Sequence, residues 1–197
     1  MELPTSDVEI RQALHRKVLR KYHKSSSTLV IDELGLSHGK NRIDIAVLNG
    51  CLHGFEIKSS KDTLARLPTQ LNEYERSLQK LTIVTASNHL PGVEEIAPAW
   101  CGIIEASRGS RGAINFRVIR KPTINPNVET MSIAHLLWKK EAIEILIERG
   151  LNDNHLKKNK KTLYGEIVKL IPIKQLVETV KIKFSQRESW RVDSQPL

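Results

Sequence analysis

Cysteine is scarce in this sequence: Cys51 and Cys101 are the two among 197 residues. They form neither a CxxC pair nor a disulfide framework, so we expect two buried, reduced thiols. Long apolar runs are also missing, since none approaches the roughly 18 residues that cross a bilayer. The N-terminal residues lack the basic-then-apolar layout of a secretory signal. The sequence therefore predicts a cytoplasmic protein with no membrane partner.

Acidic residues are outnumbered, with 22 Asp and Glu against 31 Lys and Arg and a net charge of +9. Basic side chains gain affinity for phosphates by releasing condensed counterions, which favours a nucleic-acid partner. A merely basic, soluble protein is the alternative, because charge alone specifies no chemistry. Basic residues crowd the segment 11–24, where they could also be a solvated helix face. A second cluster is formed by Lys157, Lys158, Lys160 and Lys161.

The length allows one principal domain and a smaller satellite. After Lys121-Pro122, the stretch Thr123-Ile124-Asn125-Pro126-Asn127 contains helix and strand breakers, and the remainder is patterned as helices. We therefore predict a domain at 1–122, a linker at 123–130 and a helical region at 131–197.

The first domain has the pattern of an α/β fold. Ser6 and Glu9 form a capping box that predicts a helix over residues 7–23. Apolar residues from Leu64 to Leu81 recur at helical spacing, with the main helix beginning at Pro68, because proline is tolerated in a first turn. The order is αβββαβ followed by αββ. Strands are predicted at 28–34, 42–48, 52–58, 81–86, 102–106 and, as an edge strand, 114–119, with a short helix at 93–97.

The second and third strands form a hairpin whose register decides where its polar residues lie. If Leu48 pairs with Leu52 across a three-residue loop, Asp44 lies opposite Glu56, and Arg42 lies opposite Lys58, all on one face. A two-residue turn at Asn49-Gly50 would separate the carboxylates. We favour the first register because it joins one apolar surface on the other face. That surface would comprise Ile43, Ile45, Val47, Phe55 and Ile57.

Two carboxylates and an ammonium on one sheet face are a poor way to stabilise a core, since an unpaired buried charge costs several kcal/mol. Acidic oxygens suit Mg²⁺, which lowers the pKa of a bound water and neutralises charge on a phosphate. Lys58 could then stabilise the transition state. The alternative is an internal salt bridge between Lys58 and either carboxylate.

The segments Arg42-Ile43-Asp44 and Phe55-Glu56-Ile57-Lys58 resemble the D…(D/E)xK signature of the PD-(D/E)XK nuclease superfamily. Ile43 stands where the family has proline. The resemblance covers roughly residues 7–87. It implies a restriction-endonuclease-like αβββαβ core with a central mixed sheet, and hydrolysis of DNA that depends on Mg²⁺ or Mn²⁺.

The segment Gln70-Leu71-Asn72-Glu73-Tyr74 resembles the QhxxY motif of the RecB-like branch of that superfamily. Residues four apart share a helix face, so Gln70 and Tyr74 can point at the same place. The resemblance implies that both belong to the catalytic set with Asp44, Glu56 and Lys58. A surface glutamine and a core tyrosine are the alternative.

The resemblance also implies metal ligands at Asp44, Glu56 and Ile57, with a further acid on the first strand. Glu33 is the candidate and Asp32 its rival, because strand parity places one of the two on the active face. Arg42 is expected to contact nucleic acid, together with the lysine cluster at 157–161.

The helical region is predicted as three helices: one from Thr130 to Arg149 closed by Gly150, one around 163–171, and one opened by Pro172. The passage from Ile145 to Ile171 distantly resembles a SAP-type DNA module. A helical cap on the sheet is the alternative.

Taken together, these features predict a metal-dependent DNA nuclease with Asp44, Glu56 and Lys58 at its centre. A catalytically idle nucleic-acid-binding module that keeps a nuclease-like fold is the alternative. A protein-interaction regulator is a third possibility, supported by the helical region alone. The sequence leaves open exo- or endonucleolytic cleavage and the oligomeric state.

Overall fold

A computed structural model describes residues 4–39, 41–151 and 158–187. The fold is mixed α/β, with one six-stranded mixed sheet in which consecutive strands are neighbours. The pairs β3/β4 and β4/β5 are parallel and the other pairs are antiparallel. The strands are β1 Leu29–Leu36, β2 Asn41–Leu48, β3 Leu52–Lys58, β4 Lys80–Ala86, β5 Gly102–Arg108 and β6 Ile114–Arg120. The helices are α1 Asp7–Lys17, α2 Arg20–His23, α3 Leu67–Ser77, α4 Leu90–Ile96, α5 Thr130–Ala134, α6 Lys139–Glu148, α7 Lys160–Leu170 and α8 Ile173–Ser185.

The first helix is shorter than predicted, because α1 ends at Lys17 and α2 is a separate turn. The capping box is confirmed: the Ser6 main-chain N–H donates to Glu9, whose own N–H donates to the Ser6 hydroxyl. Helix α1 buries Ile10 and Leu14 in a core cluster with strand residues such as Phe55. It therefore covers one face of the sheet.

Helix α3 covers the other face. It begins at Leu67 with Pro68 in its first turn, as the sequence predicts, and buries Leu71 and Tyr74. Strand β3 has the predicted bounds, and β6 is the predicted edge strand. The expected αβββαβ order therefore appears as α1, β1 to β3, α3 and β4.

The predicted helix from Thr130 to Arg149 is wrong, because two helices, α5 and α6, occupy this stretch. Trp138 is extended (φ −73°, ψ 156°), and its N–H donates to the Glu141 carboxylate at 2.7 Å. This contact caps a new helix three residues upstream of Glu141. Gly150 ends the α6 region at φ 83°, a left-handed conformation that glycine adopts easily.

The C-terminal helices share a hydrophobic core with the sheet. One cluster joins Leu34 and Tyr74 of the first segment to Ile145, Tyr164 and Phe184 of the helices. The predicted division at 123–130 remains a prediction. Among the described residues, no helix is both long and apolar enough to cross a membrane. Both cysteines are free; Cys101 is buried and Cys51 half-buried.

Candidate functional site

The hairpin adopts the three-residue-loop register, with Leu48 paired to Leu52. Gly50, in the loop, has φ 67°, which suits glycine. Pairing of β2 with β3 continues to Ile45 opposite Phe55 and stops there. Asp44 and Glu56 therefore lie just beyond the last paired residues, where the two strands separate.

Two details of the predicted hairpin faces are wrong. Ile43 belongs to the core cluster on the α3 side, whereas Ile45 and Ile57 belong to the cluster on the α1 side. Arg42 is not paired with Lys58, because pairing of β2 with β3 stops at Ile45. Its side chain is 65% exposed and lies 3.4 Å from Glu33. Pairing of β2 with β1 skips Asp44 and Glu33 and resumes at Ile43 opposite Leu34, so the regular alternation of faces is interrupted there.

Asp44, Glu56 and Lys58 form a compact group that we call the acid–lysine cluster. Lys58 Nζ donates to Glu56 Oε1 at 2.7 Å, and both side chains are buried. Gln70 Nε2 donates to the same oxygen at 2.8 Å, and the Tyr74 hydroxyl lies 2.6 Å from Glu56 Oε2. Gln70 and Tyr74 therefore converge on one carboxylate, as their helical spacing predicts.

The Tyr74 phenol is held in its protonated, donating form. Burial raises its pKa, and the charge of Glu56 raises it further. The Tyr74 hydroxyl, the Lys58 ammonium and the Gln70 amide give this buried carboxylate three donors. A desolvated charge requires such partners.

Asp44 is held by different donors from those of Glu56. The Ile57 N–H donates to Asp44 Oδ2 at 2.6 Å, and Arg11 NH2 donates to Oδ1 at 3.1 Å. Burial, and then the negative charge of Glu56, raise the pKa of Asp44 to about 7, although the Ile57 N–H and Arg11 act against this shift.

Arg11 contacts the acid–lysine cluster, and sequence reasoning did not place it there. Its guanidinium reaches Asp44 and lies 2.8 Å from Glu33 and 3.2 Å from Asp7. Burial lowers its pKa, but the charges of Asp44, Asp7 and Glu33 outweigh burial and raise it. The one available signal was Asp7 four residues before Arg11, which predicts a helical ion pair and nothing about the sheet.

Glu33 and Asp32 have different partners, and which of them would be a metal ligand remains a prediction. Arg11 forms ion pairs with both Glu33 and Asp44, whereas Asp32 lies 3.0 Å from His15. Glu33 has φ 56°, an uncommon conformation for a residue other than glycine. Its carboxylate is bound to two arginines, Arg11 and Arg42.

Asp44 and Glu56 are the carboxylates that could hold Mg²⁺ or Mn²⁺, but protein donors occupy all four oxygens. Lys58 bonds one oxygen of Glu56, and the Ile57 N–H bonds one oxygen of Asp44. Within the described ranges, no three His, Cys, Asp or Glu residues are grouped closely enough for a metal. A divalent ion here would have to displace these donors or share the oxygens with them.

Three of the four lysines predicted to contact phosphate lie within the described residues. Lys157 lies outside the described residues. Lys160 and Lys161 are exposed in the first turn of α7, and therefore belong to a helix and not to a loop. Lys158 directly precedes the helix cap at Asn159.

A larger basic surface lies at the end of α1 and along α2. Residues 16–24 contain six basic or histidine side chains and no acid, and these six are exposed. Lys17 is anchored to the Ile114 carbonyl at 2.6 Å. We define the basic surface as Arg16, Lys17, Arg20, Lys21 and Lys24.

This geometry describes a mixed α/β protein with an internally bonded acid–lysine cluster and a separate basic surface. The chain belongs to the bacteriophage P4 protein cII family, whose model matches residues 4–192. Protein cII of Enterobacteria phage P4 is 28% identical over 172 residues, which are 87% of this chain and 64% of the phage protein. The chain thus matches less than two thirds of that relative's length. No solved structure matches.

The family corrects the interpretation of the chain as a PD-(D/E)XK nuclease. Residues 7–87, which carry that resemblance, lie wholly inside the match to the P4 protein cII family. The assignments as a RecB-like family member, as a hydrolase and as a Mg-dependent deoxyribonuclease are therefore wrong. The acid-x-lysine triplet is short enough to arise outside nucleases.

Proposed function

We propose that this chain is a DNA-binding protein that grips the phosphate backbone with its basic surface, while the acid–lysine cluster stabilises the fold. In this proposal the core keeps the αβββαβ arrangement of restriction endonucleases without their chemistry. The observation that carries the proposal is the exposed, acid-free run of cations from Arg16 to Lys24.

The charge on this surface is not neutralised by neighbouring carboxylates. In the described part of the chain, no salt bridge joins Arg16, Arg20, Lys21 or Lys24 to an acid. A shallow groove of about 390 Å³ runs between Lys17, Arg20, Lys21 and Lys24. Unpaired cations along a groove can follow a phosphate backbone, where each contact releases condensed counterions.

The hydrogen bonds within the acid–lysine cluster favour a structural role for it, and so favour a protein that binds DNA without cleaving it. Glu56 accepts from Lys58, Gln70 and Tyr74, so its charge is used inside the protein. Removing one partner of such a buried pair leaves an uncompensated charge, at a cost of roughly 3–5 kcal/mol. That cost arises from the charge left unpaired, so Glu56 and its three partners depend on one another in the folded protein.

The test is DNA binding by the full chain in EDTA, followed by fluorescence polarisation of a labelled 30-base-pair duplex. We expect Arg20→Ala, Lys21→Ala and Lys24→Ala together to weaken binding of any sequence at least about tenfold. The slope of log affinity against log salt should fall by about one unit for each contact removed.

The matched control removes the same charge from the C-terminal helices through Lys140→Ala, Lys169→Ala and Lys174→Ala. Equal binding by the two triple variants would refute the basic surface. Cleavage of the duplex by wild type in Mg²⁺ or Mn²⁺, abolished by Asp44→Ala, would refute the structural role of the cluster.

A further inference from the structure

A second cavity lies between the β1–β2 turn and the C-terminal helices, away from the acid–lysine cluster. Its volume is about 390 Å³, within the roughly 300–1,000 Å³ of small-molecule sites. The end of β1 and the β1–β2 turn, with Leu34, Gly35, His38 and Gly39, line one side. The connection 135–138 between α5 and α6, the first turns of α6 and α7, and the C-terminal end of α8 line the rest.

Aromatic rings make up much of its wall. The ring centroids of His38 and His135 are 4.4 Å apart, and Tyr164 lies 5.3 Å from His135. The Tyr164 hydroxyl donates to the Leu137 carbonyl at 2.8 Å, which fixes that ring. Trp138 also lines the cavity, and its surface is 51% exposed. Such rings are stacking partners for a planar base.

Three permanent cations line the same cavity, and one of them is already neutralised. Arg187 binds Glu141 through two contacts of 2.6 Å and lies over the Trp138 ring at 4.2 Å. Lys139 and Lys160 form no ion pair within the part of the chain that the structure describes. Two positive charges therefore remain.

The charge of the lining matches one class of ligand. Two lysines balance a phosphate monoester, which carries about −1.5 to −2 at neutral pH. A phosphodiester inside a strand carries about half that charge. Each lysine is also the first residue of its helix, where the helix dipole opposes a cation, so helix stability does not account for either.

Backbone strain marks the β1–β2 turn beside the cavity. Ser37 and His38 have φ of 48° and 61°, and Gly39 follows at 83°. The Ser37 hydroxyl donates to Glu73 at 2.9 Å, which helps to hold this left-handed turn. A non-glycine residue in this region costs roughly 1–3 kcal/mol and is retained where the surroundings fix it, often at functional sites.

We propose that this cavity binds a nucleoside phosphate monoester, with the base against the rings of His38, His135 and Trp138 and the phosphate at Lys139 and Lys160. The ligand is either a free mononucleotide or the phosphorylated end of a strand, since both present the same group. This site is independent of the basic surface in the proposed function.

The test is isothermal titration calorimetry of the full chain with 2′-deoxyadenosine 5′-monophosphate. We expect Lys139→Ala with Lys160→Ala to weaken binding at least about tenfold, the loss of one charge-assisted hydrogen bond or more. The matched control, Lys140→Ala with Lys161→Ala, removes the next lysine of each helix and should change affinity less than about twofold.

Ligand comparisons on the wild-type chain need no variant. Deoxyadenosine and inorganic phosphate should each bind at least about tenfold more weakly than the nucleotide, because each lacks one half of the contacts. Equal affinity for the nucleotide and either fragment would overturn the proposal. So would equal weakening by the two double variants, or no binding by wild type.

Two further arms identify the source of the phosphate and keep this site distinct from the basic surface. Preference for a 5′-phosphorylated hexanucleotide over its 5′-hydroxyl form would support a strand end, and binding of the mononucleotide alone would support a free ligand. The Arg20→Ala, Lys21→Ala, Lys24→Ala variant should retain nucleotide affinity even where duplex binding is lost. Loss of nucleotide binding in that variant would overturn the independence of the two sites.

Discussion

At the scale of single residues, the contacts of Asp44 show how the cluster is balanced. This carboxylate is buried near Glu56 and receives hydrogen bonds from Ile57 and Arg11. Burial and Glu56 dominate, so its pKa rises to about 7 from an ordinary value of 3.8. The folded protein therefore binds this proton more tightly than the unfolded chain does.

The resulting prediction concerns Asp44→Asn. The stabilisation from the Asp44 proton is fully present below the unfolded pKa of 3.8 and is lost as the pH rises through about 7. The free energy of unfolding of wild type minus that of Asp44→Asn should therefore decrease from pH 4 to pH 8, as measured by urea denaturation.

Wild type is compared with Asp44→Asn because other groups make the free energy of unfolding increase with pH. Burial lowers the pKa of His53 to about 3, so its contribution falls as the solution is acidified. Glu105→Gln is a control of opposite sign, since the hydrogen bond from Arg117 lowers the pKa of Glu105. A wild-type minus Asp44→Asn difference that grows with pH would contradict the assignment.

Residue spacing placed part of this site correctly. The i, i+4 spacing predicted that Gln70 and Tyr74 meet, and both contact Glu56. The hairpin pattern predicted the observed register, which puts Glu56 beside Asp44. Arg11 could not be placed, because its contact with Asp44 spans 33 residues and depends on how α1 crosses the sheet. The motif also named the wrong family, because a buried salt bridge and a catalytic triplet can use the same three side chains.

At the scale of elements, strand alternation and the capping box predicted the strands and the start of α1. Apolar spacing predicted the C-terminal helices less accurately. Apolar spacing alone predicted one helix over residues 130–149, although the helix is interrupted before Trp138. Glu141 stands three residues after Trp138, where a capping glutamate belongs, but tryptophan is not a usual cap residue. The apolar period persists through the break because both helices bury residues in the same core.

The packing of α3 on the sheet gives a prediction at this scale. A Cβ at Gly54 in β3 would lie 2.6 Å from Leu78 Cδ1 and 3.0 Å from Ile43 Cγ1. Gly54→Ala should therefore destabilise the protein by about 1–3 kcal/mol through overpacking.

Gly165 in α7 provides the matched control, because a Cβ there meets nothing within 4 Å. Gly165→Ala should stabilise the protein by about 0.5–1 kcal/mol, since alanine favours the helix. Both values are measured as urea midpoints at a common slope. Equal changes in the free energy of unfolding for the two substitutions would show that the space between Gly54 and Leu78 can accommodate a Cβ.

At the scale of the whole molecule, the sheet and the C-terminal helices are joined by packing and by the intervening segment. The larger core cluster contains side chains from both. Asn125, 1% exposed, donates to the carbonyls of Glu75 and Leu78, while its N–H donates to the Gln79 carbonyl. The segment after Lys121 is thus fixed to the end of α3.

The corresponding prediction is that the sheet and the C-terminal helices unfold in one cooperative transition, with equal calorimetric and van't Hoff enthalpies. Asn125→Ala should lower the free energy of unfolding by about 1–3 kcal/mol, because the buried bond to the Leu78 carbonyl and the part-buried bond to the Glu75 carbonyl are lost. It should also shift the whole transition. Asn127→Ala removes an exposed contact with Glu75 and should have an effect below about 1 kcal/mol. Two separable transitions, or a shift of only part of the signal in Asn125→Ala, would show that the helices fold independently of the sheet.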